Sequence, residues 1–102
     1  MDLDNVERRH RENPETFEIL PLAVRRRLGV GRLVKLIFLI SADEGPQGER
    51  MWVKIIDKGN HGNGNYWYKG TLDNEPAFAD LSLGDEISFG PEHIAMIYPE
   101  TN

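Results

Sequence analysis

Few residues in this chain have both the type and the spacing to do bond-making chemistry. Its three histidines are scattered: His10 in a polar run, His61 in a Gly/Asn tract and His93 just after Gly90-Pro91-Glu92. General acid–base catalysis needs a positioned pair with tuned pKa values, and no two of these histidines share helical or strand spacing. A metal ion needs about three converging ligands; His93 with Glu92 and Asp85 is the one conceivable set. Ser41, Ser82 and Ser88 sit in no G-x-S-x-G elbow. The glycines of residues 59–64 are not followed by the Lys-Ser/Thr of a phosphate loop. With no cysteine, thiolate zinc sites, thiol nucleophiles and disulfide scaffolds are excluded. The expectation is a non-enzyme with no catalytic residue, no metal and no cofactor.

What remains is the chemistry of recognition. The formal net charge is -5, and its placement says more than its sum. Residues 1–35 are slightly basic and residues 36–69 balanced, while residues 70–102 carry seven carboxylates and no Lys or Arg. A segment of one sign repels nucleic acid and steers basic partners inward, though it also serves solubility. The candidate binding residues are therefore Trp67 and Tyr68 as an aromatic face, with Asp73, Asn74, Glu75, Asp85, Glu86, Glu92 and His93 around it; Asp80 is a further acid. Each has a structural alternative. Asn74 and Asp73 suit a turn closed by Pro76, and Asp85 can bond nearby backbone amides. Tyr66-Trp67-Tyr68-Lys69 and Trp52-Val53-Lys54 have the aromatic-plus-cation texture of single-strand nucleic-acid surfaces. The sequence pI of about 5.1 weighs against that class, because affinity rests on phosphate neutralisation. Arg25-Arg26-Arg27 can bind phosphates or complement a helix dipole.

These residues must be positioned by one small domain of 102 residues. Residues 4–12 read as a polar helix with an Asp4/Glu7 capping box, or as a frayed N-terminal arm held only by Leu3 and Val6. Phe17 and Ile19 alternate as an extended segment. Residues 21–28 read as a two-turn helix with Pro21 at its first position and Gly29 as the left-handed residue after it. The rest reads as β. Residues 33–41 are apolar on both faces, predicting a central strand covered twice. Residues 42–48 form a loop, 50–56 a strand, 57–65 a mobile hairpin loop, and 66–72 the returning strand. Residues 87–89 and 94–98 are short late strands split by Gly90-Pro91. One echo stands out: Leu28-Gly29-Val30-Gly31 before a strand, and Leu81-Ser82-Leu83-Gly84 before another. It suggests one local geometry used twice. The expected fold class is mainly β (α+β), a small, strongly bent antiparallel sheet of about five strands, barrel-like, preceded by one or two short helices.

Glu49-Arg50-Met51-Trp52-Val53, then Gly70-Thr71-Leu72-Asp73-Asn74-Glu75-Pro76, then Gly84-Asp85-Glu86-Ile87 and His93-Ile94 resemble a bacterial family catalogued as domain of unknown function 2314. The resemblance spans residues 14–98. It implies a bacterial or phage origin and a small β-rich fold, and it implies no activity. The longest apolar run, residues 36–40, falls far short of the ~20 needed to span a bilayer, and the first residues show no apolar leader core. The expected protein is therefore a cytoplasmic, non-catalytic protein-binding module. It would be an inhibitor or immunity-type protein for a basic partner, with nucleic acid disfavoured, no membrane contact, and a homodimer by edge pairing left open. The alternatives are a single-strand nucleic-acid-binding small barrel and an uncharacterised enzyme.

Overall fold

The computed structural model describes residues 2–40, 48–62, 64–77 and 79–99. Two short helices, α1 (Val6–Glu12) and α2 (Leu22–Arg25), precede five strands: β1 (Leu33–Leu39), β2 (Gly48–Asn60), β3 (Tyr66–Leu72), β4 (Glu86–Phe89) and β5 (Ile94–Ile97). The strands form one antiparallel sheet in the order β4-β3-β2-β1-β5. A 3-10 turn, Pro91–His93, joins β4 to β5, although these strands are the two opposite edges of the sheet. No ladder closes them, so the sheet is open among the described residues.

Strand alternation and register gather the core on one face. Val34 pairs with Val53, Val53 with Leu72, and Leu36 with Met51; Tyr68 pairs with Phe89, and their rings stack at 5.4 Å. Leu28, Phe38, Ile55, Ile87 and Ile94 join this layer, all buried. Each such side chain contributes about 1.5–3 kcal/mol by leaving water. Gly70 lies in this layer because nothing larger fits: a Cβ there would stand 2.5 Å from Val53.

The sequence echo is a structural repeat. Gly31 (φ 98°) and Gly84 (φ 91°) are both left-handed. Gly31 N–H donates to Ile55 O, and Ile55 N–H donates to Arg32 O; likewise Gly84 N–H donates to Leu72 O, and Leu72 N–H to Asp85 O. Each Gly-x pair thus clips its chain onto a core residue of a neighbouring strand just before β1 or β4 begins. This displaces the expected left-handed residue from Gly29 to Gly31.

Other boundaries move for local reasons. α1 starts at Val6 with Asn5 as its cap, whose side chain accepts from Arg8 N–H. Asp4 is not the cap; it is buried and ion-paired to Arg8 and Arg9. The N-terminal arm is not frayed, because Leu3 bridges to Phe38 and Asp4 N–H donates to Ile37 O at 2.9 Å. It continues the β1 edge where β5 stops. Helix α2 spans one turn only, and Pro21 is its cap, not its first residue. Strand β2 runs on through a bulge near Ile56 as far as Asn60. The loop expected over 57–65 therefore shrinks to 61–65, closed by His61 N–H donating to Asn65 O; Asn63 lies outside the described residues. So does the loop expected over 42–48, apart from Gly48, which opens β2.

Candidate binding surfaces

The candidate residues divide between two ends of the sheet. Asp73, Asn74 and Glu75 leave β3, and Asp80, Asp85 and Glu86 lead into β4, so all six gather at one end. Asp73, Glu75, Asp80 and Glu86 are exposed or half-buried. Among the described residues none of the five acids here has an ion-pair partner. Two of the six residues work for the backbone. Asn74 Oδ1 accepts from Trp52 N–H, tying the turn to β2, and Asp85 Oδ2 accepts from Ser82 N–H at 2.9 Å. Glu49, which carried no signal beyond its place in a motif, accepts from Ala77 and Ala79 N–H and pins the loop bearing the acids.

Glu92 and His93 stand beyond the far end of β4, on the 3-10 turn packed against α1 and α2. Asp85 is thus kept from them, and the conceivable His93–Glu92–Asp85 metal set is not assembled. His93 Nδ1 accepts from Gly90 N–H at 3.0 Å and lies 3.7 Å from Glu92. Burial lowers its pKa below the ordinary imidazole value, while Glu92, Asp4 and Glu7 pull it back upward. Beside it Arg25 is 3% exposed. It donates to Leu20 O at 2.8 Å, to Glu7 Oε2 at 2.8 Å and to Pro91 O at 2.9 Å. The first arginine of the triplet is therefore a buried clamp that fastens α1, α2 and the 3-10 turn together.

Tyr68 is not part of an exposed aromatic face. It is 1% exposed, its hydroxyl donating to Arg25 O at 2.6 Å and accepting from Leu28 N–H. Burial pushes its phenol pKa up. Alternation puts Trp67 on the opposite, outer face, half-buried. Its ring lies across Gly59 of β2, where a Cβ would collide with the indole. Trp52 also lies on the outer face, between Lys35, 4.6 Å from its ring centroid, and Tyr98, which meets it edge-on at 5.2 Å. It covers the second face of the sheet.

Two of the concavities among the described residues offer contact area. At the β2–β3 hairpin tip a cleft of about 210 Å³ is lined by Arg26, Lys58, Asn60, Tyr66 and Trp67 among others, with Arg26 5.3 Å from the Tyr66 centroid. Along β5 a groove of about 460 Å³ separates Ala95, Met96 and Ile97 from Glu18, Ile19 and Leu20. Among the described residues no helix is long and apolar enough to cross a membrane, and no three His, Asp or Glu side chains are grouped to hold a metal. Comparison with known protein families, curated proteins and solved structures finds no match.

Proposed function

We propose that this chain is a non-catalytic protein-binding module that takes a basic partner. In its most concrete form it is a cytoplasmic inhibitor or immunity-type protein of bacterial or phage origin, masking a nucleic-acid-handling enzyme. The observation that carries the reading is the acid end: Asp73, Glu75, Asp80, Asp85 and Glu86 converge with no ion-pair partner among the described residues. The Glu49 anchor and the Asn74–Trp52 bond hold that end in a fixed shape, which lowers the ordering cost of binding. With Tyr68 in the core, contact area falls to the β5 edge and its groove, where an extended segment can add a strand. A barrel-like bend belongs to this reading. The opposite edges of a five-strand sheet are joined by residues 90–93 alone, a link too short for a flat sheet at about 4.8 Å per strand.

The test is the Asp73→Lys/Glu75→Lys/Glu86→Lys triple variant, compared with the unaltered chain for capture of proteins from a bacterial lysate. The expected result is a basic partner retained by the unaltered chain, lost from the variant and released by salt. Equal capture by both chains, with equal salt response, overturns the acid-end reading.

A further inference from the structure

The sheet's outer face carries a pattern that the total charge conceals. Lys35 stands opposite Trp52, and Lys54 follows two residues later on β2. Lys54 stands opposite Thr71, and Lys69 lies two residues before it on β3. Lys35, Lys54 and Lys69 are therefore successive diagonal neighbours on three adjacent strands, spaced about 7–8 Å apart. Trp52 flanks one end of this line and Trp67 the other, each two residues from a lysine on the same strand and so on the same face. Along the sheet the two indoles are separated by about 20 Å at the usual rise per residue. Among the described residues none of the three lysines forms a salt bridge. Two carboxylates share this face: Asp57 stands directly opposite Lys69, its Oδ1 accepting from Lys58 N–H at 2.9 Å, and Glu86 stands opposite Thr71 at the acid end.

We propose that this outer face binds a short stretch of single-stranded nucleic acid, with Lys35, Lys54 and Lys69 meeting successive phosphates and the Trp67 ring offering a platform to a base, Trp52 being already packed between Lys35 and Tyr98. The chemistry fits that occupant on two counts. A line of cations at regular steps matches a flexible polyanion with regularly repeated charges. A flat indole, Trp67, at one end matches an unpaired base, whose stacking tolerates any sequence. A duplex hides its base faces and would use only the lysines. The site adjoins the acid end at Glu86 but does not rest on the protein-binding reading.

The experiment uses the whole chain and oligo(dT) of about twelve nucleotides, within the range one small barrel covers. Both tryptophans of the chain lie on this face, so their fluorescence reports base stacking while anisotropy of the labelled oligonucleotide reports binding. The expected result is quenched tryptophan emission and an affinity that falls with salt, with a log–log slope of about -2 for three phosphates on a single strand. Lys54→Glu/Lys69→Glu should weaken binding at least tenfold and flatten that slope, while Lys54→Arg/Lys69→Arg retains both. Thermal melts of each variant confirm folding. Absence of binding at low salt, or binding unmoved by the charge reversal, overturns the proposal. Equal binding and equal quenching by poly-glutamate overturns it in favour of an acidic protein segment.

Discussion

At the scale of single residues, the strongest constraint is a cation held where water is excluded. Arg25 satisfies two backbone carbonyls and one carboxylate at once, a fork that a lysine's point charge cannot reproduce. Arg25→Met leaves those carbonyls and Glu7 without their donor, and the fold should lose about 3 kcal/mol. Arg25→Lys should recover under half of that. Urea melts measure both, and a loss below about 1 kcal/mol would show the clamp to be replaceable. His93 works in the opposite sense, since its neutral form is the useful one: Nδ1 must be unprotonated to accept from Gly90 N–H. Its folded pKa lies below the unfolded value of about 6.5. The unfolded chain therefore binds the extra proton first, and stability rises with pH across that window. His93's contribution is complete above about pH 6.5 and lost as pH falls toward the folded pKa. Melting His93→Asn beside the unaltered chain at several pH values isolates the effect, because the variant should show a shallower decline on acidification. Parallel declines would remove His93 as the cause.

At the scale of elements, the repeated Gly-x clip explains how strands join the sheet. Gly31 and Gly84 each hold a positive φ, and nothing surrounds the place a Cβ would take. The cost of Gly31→Ala or Gly84→Ala is thus purely conformational, about 1–2 kcal/mol each. The two sites clip different strands, Ile55 on β2 and Leu72 on β3, so the double variant should be additive within about 0.5 kcal/mol. Strong non-additivity would mean that the two clips form as one unit. This device was legible in the sequence because both copies share the spacing L-x-[VL]-G before an alternating run. Strand β1 was legible as a run apolar on both faces, and β3 by alternation. Of the thirteen residues of β2, 50–56 were legible by alternation and 57–60 were not, because Asp57, Gly59 and Asn60 carry turn chemistry that the pairing of Gly59 under the Trp67 ring overrides. The roles of Arg25 and Asp4 were hidden too. A charge reads as solvated until three elements from distant parts of the chain close around it. The outer face lay between these cases. Trp52-Val53-Lys54 and Trp67-Tyr68-Lys69 each announce a tryptophan and a lysine on one side of a strand, but only the β1–β2–β3 register shows the lysines forming a line.

At the scale of the whole molecule, charge is sorted by place. Among the described residues, carboxylates without an ion-pair partner occupy one end of the sheet and a line of lysines its outer face, while ion pairs cluster at the helical end around Asp4, Glu7 and Arg25. The partly buried pairs of the helical end are weakly screened by salt, whereas exposed groups separated by more than a Debye length of about 10 Å at 0.1 M are largely screened. Like-charge repulsion within the acid end and along the lysine line should therefore relax as salt is added, with little attraction lost elsewhere. Raising ionic strength from about 0.01 to 0.15 M, which shortens the Debye length from about 30 to 8 Å, should raise Tm by several degrees. A gain near 0.5–1 kcal/mol corresponds to about 3–6 °C for a domain of this size. The Asp73→Lys/Glu75→Lys/Glu86→Lys variant removes the acid-end repulsion in advance and should show a smaller rise. A Tm that falls with salt would mean that surface attractions outweigh the repulsions, and that the acid end is already neutralised within the chain instead of being held open for a partner.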